Sequence, residues 1–243
     1  YVKTAKRVAK GIRKKVLRAV AVTLVLVFVG YFVANYVDGA RFTMRGIAKH
    51  ELNDDRFVRL YFADGDEQLD WREKRELQYL GEISGNGIAQ CYTIISLPDL
   101  NRQIYCSFLA SRNDPLRLGM LVKDGALWSP VNEGINVIIA PDMYPFAAAF
   151  YTPDSRVKKI NFTIDHHSEY DPLNPDWDDL DTFELELDEN GFGLQELWRI
   201  GDNYEITEGT ATDAAGNILY QVEPVTENID GTEHTSYEWV KVE

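Results

Sequence analysis

The sequence predicts a single N-terminal transmembrane helix followed by an extracytoplasmic α+β and β-rich region, with the far part an antiparallel β-sandwich. Three observations predict it. Residues 19–37 are an unbroken uncharged run, eight basic residues and no acid precede that run, and the rest of the chain is a series of short alternating segments separated by turn residues. The chain accordingly divides into a basic cytoplasmic segment 1–18, a span 19–37, a membrane-proximal α+β region 38–125 and a β-rich region 126–243.

The formal charge of −14 conceals an asymmetry. Setting aside the eight bases of residues 1–18 leaves 17 basic against 39 acidic residues, a balance of −22 in the remainder. Such a region repels a phosphate backbone, which excludes a nucleic-acid partner and favours cations or basic proteins.

The run AVAVTLVLVFVGYFVANYV (19–37) is rich in Val, a strand former in water. In lipid the backbone must bond to itself, so a run of this length forms a helix of about 28 Å and matches the hydrocarbon core. Tyr31, Phe32 and Tyr36 form an aromatic belt at its far end. The bases before it hold the N-terminus in the cytoplasm, and the length of the apolar run favours an uncleaved anchor over a signal peptide. Lys3, Arg7, Lys10, Lys14 and Arg18 lie along one helical stripe and would face anionic lipid headgroups or a cytoplasmic partner. Gly30 and Ala34 are a small-xxx-small pair where a second helix could pack.

Beyond the span, residues 56–62 (RFVRLYF) read as a strand. Residues 67–80 (EQLDWREKRELQYL) read as a helix, with Leu69, Glu73, Leu77 and Leu80 along one side, Glu73 being the one break in the apolar stripe, and Gly81 and then the Ser84-Gly85-Asn86-Gly87 run ending it. GIAQCYTIISL (87–97) and NRQIYCSFLA (101–110) read as a hairpin turning at Pro98-Asp99. A symmetric hairpin about that dipeptide sets Cys91 directly opposite Cys106, and an extracytoplasmic location then favours a disulfide between them.

From residue 116 onward strands follow one another. Expected strands include GINVIIA (134–140), PFAAAFY (145–151) and RVKKINFTI (156–164). Two hairpins are expected at Asn190-Gly191 and at Asp213–Asn217, and the last ten residues read as a closing strand. The segment TATDAAGNILY (210–220) resembles the closing strands of bacterial immunoglobulin-like surface modules. That resemblance spans eleven residues of turn and strand. It implies a bacterial surface setting and transfers no functional residue.

The densest set of possible ligands is DHHSEYDPLNPDWDDLD (165–181). Asp165, Glu169, Asp171, Asp176, Asp178, Asp179 and Asp181 form an oxygen-rich loop, a candidate for Ca²⁺, although the spacing is not that of an EF-hand. Trp177 within it is a candidate binding aromatic. No nucleophile elbow, HExxH, Walker loop or dinucleotide fingerprint occurs. The expected function is therefore non-enzymatic: an anchored extracytoplasmic interaction domain, an accessory or partner-binding subunit of a membrane or cell-surface assembly, with no cofactor. A single-pass sensor of an extracytoplasmic ligand and an anchored hydrolase are the alternatives.

Overall fold

The computed structural model describes residues 2–37, 41–52, 74–98, 101–111, 121–122, 127–139, 146–167, 180–197, 203–229 and 232–242. Two helices and thirteen strands are found among them.

Helix α1 (Val2–Val37) is continuous, so the basic segment and the apolar run are one rod of about 54 Å. Its part Arg13–Tyr36 has a mean hydropathy of 2.4 and is exposed along its length apart from Asn35 near its end, so it is long and apolar enough to cross a membrane. Its polar side chains are satisfied locally. Thr23 donates to the Ala19 carbonyl at 3.0 Å, and Asn35 donates to the Tyr31 carbonyl at 2.8 Å. In a medium without water, such i−4 bonds would offset the cost of burying hydroxyl and amide groups.

Helix α2 (Met44–Leu52) is amphipathic. Thr43 caps it, accepting from the Gly46 amide at 3.1 Å, and Met44, Ile47, Ala48 and Leu52 are its buried stripe. That stripe lies on the first sheet, in which β1 (Glu76–Gly85), β2 (Ile88–Leu97) and β3 (Arg102–Ser111) are consecutive antiparallel neighbours and β4 (Leu121–Val122) and β5 (Leu127–Pro130) both pair with β3. A second sheet has the order β10-β7-β6, from β6 (Asn136–Ile139), β7 (Ala147–Tyr151) and β10 (Phe192–Glu196). The third has the order β13-β12-β11-β8-β9, from β8 (Lys159–His167), β9 (Leu180–Glu186), β11 (Asn203–Thr212), β12 (Ile218–Ile229) and β13 (Thr232–Lys241).

Three apolar clusters show how these layers stack. Met44 and Ile47 pack with Cys91, Ile95 and Phe108 on one face of the first sheet. Tyr92, Ile94 and Tyr105 on its other face meet Ile138, Ala149, Tyr151 and Phe192 of the second. Phe146, Ala148 and Phe150 then meet Ile160, Phe162 and Ile164 of the third. The order is thus α2, first sheet, second sheet, third sheet. β7 is covered on both sides, which is why all five of its residues, AAAFY, are buried and none is polar. Its alanines let two sheets approach closely, while Tyr151 and Phe150 fill the two gaps in opposite directions.

Two expectations are corrected here. The helix expected over 67–80 is not formed across residues 76–80, which begin β1; residues 67–73, and the strand expected at 56–62, lie outside the described residues. A bulge between Tyr79 and Gly81 explains the misleading spacing. Leu77 and Tyr79 face α2, and the bulge turns Leu80 and then Ile83 to the opposite core, so one strand carries apolar residues at helix-like intervals. Phe192 lies over Gly81, where a Cβ would come within 2.5 Å of its ring.

The second correction concerns Asn190-Gly191. The turn is tight, with the Gly191 amide donating to the Asp188 carbonyl at 3.0 Å, but it joins strands of different sheets, since β9 pairs with β8 and β10 with β7. Leu185 and Leu187 pack face to face with Gly193, where a Cβ would meet them at 2.7–2.9 Å, and this contact between layers replaces strand pairing. The hairpin expected at Asp213–Asn217 is formed. Asp213 accepts from the Ala215 and Asn217 amides, and Gly216 takes a φ of +86°.

Between the first two sheets, the hydroxyls of Tyr92 and Tyr105 and the Gln90 carbonyl oxygen have no hydrogen-bond partner among the described residues, although all three side chains are buried. Only the Gln90 amide is engaged, donating to Ser107 at 3.3 Å. An unpartnered buried hydroxyl costs about 1–3 kcal/mol. Tyr105→Phe is therefore expected to raise the denaturation midpoint. A lowered midpoint would show that water bridges these groups.

Candidate functional site

The two cysteines are brought to one face of the first sheet but not opposite each other. In the β2–β3 register Cys91 faces Phe108 and Thr93 faces Cys106, so the expected disulfide is absent and both thiols are free and buried. The reason is the turn. Leu97 pairs with Arg102, and Asn101 takes a left-handed φ of +50°, so the loop holds four residues rather than two and the centre of the hairpin moves by one residue. Pairing then slips by two. An even slip keeps every side chain on its expected face, which is why burial is right and the partner is wrong.

Cys106 lies 3.1 Å from the Thr93 hydroxyl, and Cys91 reaches toward the Met44 carbonyl at 3.9 Å. Burial pushes both thiols up, Cys106 to about 12, so neither is a thiolate near neutrality. A membrane-impermeant maleimide is expected to leave both unmodified in the folded chain and to modify both after unfolding. Rapid modification of the native chain would contradict this packing.

The acidic loop is described only at its ends. Asp165 lies in β8, two residues before its end, and Asp181 lies in β9. Asp165 pairs with Leu180 and Ile164 with Asp181, so the two carboxylates project from opposite faces of the sheet and do not converge. Glu169, Asp171, Asp176, Trp177, Asp178 and Asp179 lie outside the described residues, and no group of three or more metal-ligating side chains occurs among the described ones. On α1, Gly30 is open, with nothing within 4 Å of a notional Cβ, and Ala34 is exposed beside it. Lys14 and Arg18 are exposed; the side chains of Lys3, Arg7 and Lys10 are outside the described set.

The best-built polar site is one that the motifs did not indicate. A groove of about 560 Å³ opens where the loop before β6, the loop after β7 and the ends of β12 and β13 meet. Asn132, Asp154, Arg156, Tyr220, Trp239 and Lys241 line it. Each wall has a local cause. Asn136 is buried and clamps the first loop, accepting from the Asn132 amide at 2.8 Å and donating to the carbonyls of Asn132 and Tyr151. In the second loop the Asp154 carboxylate accepts from Arg156 Nε at 2.9 Å, from Nη2 at 2.6 Å and from the Arg156 amide at 3.1 Å. The Tyr220 hydroxyl lies 3.1 Å from Asp154 Oδ2 and 3.4 Å from the Glu133 carbonyl, and so ties the two loops together. Trp239 is half-buried, set edge-on to Phe150 at 6.4 Å and packed against Gly209, where a Cβ would come within 2.6 Å of the indole.

These contacts fix the charge state of the groove. The Arg156 guanidinium holds Asp154 well below the usual carboxylate range, with the Arg156 amide and the Tyr220 hydroxyl adding to the effect. Burial, and then the hydrogen bond to Asp154, push the Tyr220 phenol up. Arg156 and Lys241 set two cationic groups beside Asp154 and Glu133, so the groove presents both signs next to an indole. The pH dependence follows from the depressed Asp154 value. Its stabilising contribution is complete above the ordinary carboxylate range and is lost as pH falls through the folded-state value. The stability gap between the wild type and Asp154→Asn is expected to be widest near neutral pH and to close in acid. A gap unchanged by acidification would contradict the assigned pairing.

The sequence signal for this groove was slight. Pro153-Asp154-Ser155 is ordinary turn chemistry, and Tyr220 and Trp239 look like core residues of alternating strands. The groove exists only because two distant loops and the ends of β12 and β13 meet at one end of the stacked sheets. In comparisons with protein-family models, with curated proteins and with solved structures, nothing matches the chain.

Proposed function

We propose that the protein is a membrane-anchored extracytoplasmic interaction domain, the partner-binding or accessory subunit of a membrane or cell-surface assembly. Its N-terminus lies in the cytoplasm and its three-sheet domain at the outer face of a bacterial membrane. The observation that carries this reading is the pairing of a long, largely exposed apolar helix with a folded β domain after it in the chain. Eight bases before the span and an acidic remainder support the orientation.

The groove supports binding rather than catalysis. Its Asp154 carboxylate is held ionised by a two-pronged bond to Arg156, so it has no proton to donate and little basicity to accept one. Groups of both signs around an indole suit a polar segment of a partner protein. In the inner leaflet, the basic stripe of α1 meets anionic headgroups.

The test is gentle solubilisation of the native membrane followed by capture of the full chain. A stoichiometric membrane partner is expected, with its recovery reduced by Trp239→Ala and by Lys241→Glu. Recovery of the chain alone, or a partner indifferent to both substitutions, would overturn the assignment of the groove.

A further inference from the structure

We infer that the junction between the span and the first sheet is a second membrane-contact element: a collar made by Arg41, Phe42, Arg45 and Lys49 that seats the outer domain on anionic phospholipid headgroups. This rests on the anchored reading of α1.

The geometry begins with a fold-back. After α1 the chain turns so that Arg41 lies 4.0 Å over the Tyr36 ring and donates to the Tyr36 carbonyl at 2.8 Å. Phe42 continues downward and stacks on Phe32, with ring centroids 5.4 Å apart and planes 16° from parallel. Phe32 lies four residues below Tyr36, which along a helix is about 6 Å. The uncharged run 19–37 is about 28 Å long and fills a hydrocarbon core of about 30 Å. Tyr36 and Arg41 then stand at its outer boundary, and Phe32 and Phe42 at the edge of the acyl chains.

Exposure agrees with that depth. Phe42 is 49% exposed even with its ring stacked on Phe32. A large apolar side chain at this level transfers favourably into lipid. From Arg41, steps of four residues lead to Arg45 and Lys49 on the exposed side of α2, whose opposite side is buried on the first sheet. Arg45 also lies over the Tyr79 ring at 5.9 Å. Residues 41–50 contain three Lys or Arg and no acid, in an exported region whose overall balance is −22. Long basic side chains around an aromatic anchor are the composition that holds a segment at an anionic interface. Beside them a cleft of about 410 Å³, lined by Phe42, Thr43, Glu82, Ser84 and Asn86, opens between the start of α2 and the β1–β2 turn; the Glu82 carboxylate leaves the headgroups to the basic side chains outside it.

The collar gives the domain a defined seating. α2 is held to the bilayer on one side and to the first sheet on the other, so the stacked sheets would stand at a fixed tilt and present the groove at a fixed height.

The test uses the full chain in nanodiscs of phosphatidylcholine, with and without phosphatidylglycerol. A fluorophore attached through Phe42→Cys is compared with one attached through Ser236→Cys, an exposed position of β13; the native cysteines are buried and silent. Nitroxides placed high on the acyl chains are expected to quench the label at 42 and to spare the one at 236. In the unlabelled wild type, amide exchange over 41–52 is expected to slow when phosphatidylglycerol is present. Each of R41Q, R45Q and K49Q should remove about fivefold of that protection. An unquenched label at 42, together with exchange indifferent to phosphatidylglycerol, would overturn the collar. A chain that separates from the discs altogether would instead overturn the anchored reading.

Discussion

Phe150→Ala is expected to lower the stability of the three-sheet domain by about 3–5 kcal/mol. Phe150 is wholly buried in β7, with Phe162 at 4.6 Å on one side and the edge of Trp239 at 6.4 Å on the other. Truncating a buried Phe costs about 3–5 kcal/mol, because the lost transfer energy is joined by that of the cavity left behind. Domain stabilities are about 5–15 kcal/mol, so this one change removes a large fraction of the total. The site cannot collapse to recover it, because β7 is clamped by sheets on both faces. Thermal or denaturant melts of the full chain in detergent would read the loss. A change below about 1 kcal/mol would show that the second and third sheets do not stack on this ring. Phe42→Ala, on the exposed side of the molecule, should leave the same melt unchanged.

The second large effect is expected in the span. Val27 is exposed near the middle of Arg13–Tyr36. Val27→Asp places a carboxylate at the bilayer centre, at a cost of about 2.5–3.5 kcal/mol on insertion scales, in addition to the apolar contribution that is lost. A sharp fall in the fraction retained by alkaline-washed membranes is expected, while Lys14→Asp, at the basic end, should be retained. Equal retention of both variants would mean that the run does not lie in lipid.

The parts of the fold legible from residues alone were those fixed by composition over a long window or by turn chemistry. The N-terminal helix is the clearest case, since the nineteen uncharged residues lie within one continuous helix long and apolar enough to cross a membrane. The β11–β12 hairpin was legible because Asp213 and Gly216 are the residues such a turn needs. β1 was missed although its own signal was present. Asn86 and Gly87 both take positive φ, at 49° and 78°, and join Gly85 to Ile88 as a two-residue hairpin loop. Read as a helix stop, the same residues hid a strand whose bulge mimics helical spacing. The cysteine pairing failed on a finer point. Burial dictates which face a residue takes, so it fixes register only to an even number of residues, and the loop length decides the rest. The groove lay beyond local reading altogether, because Asp154 and Tyr220 are 66 positions apart and meet only through the stacking of two sheets.

The proposed topology is an apolar rod held in the membrane with the sheets on its outer side. It is tested most directly by labelling two engineered thiols with a membrane-impermeant reagent in intact cells, one at Ser236→Cys in β13 and one at Lys14→Cys in α1, against the silent background of the buried native cysteines. The expected result is labelling at 236 without permeabilisation and at 14 only after it, with both variants in the membrane pellet. Labelling in the reverse order, or a chain recovered in the soluble fraction without detergent, would contradict it.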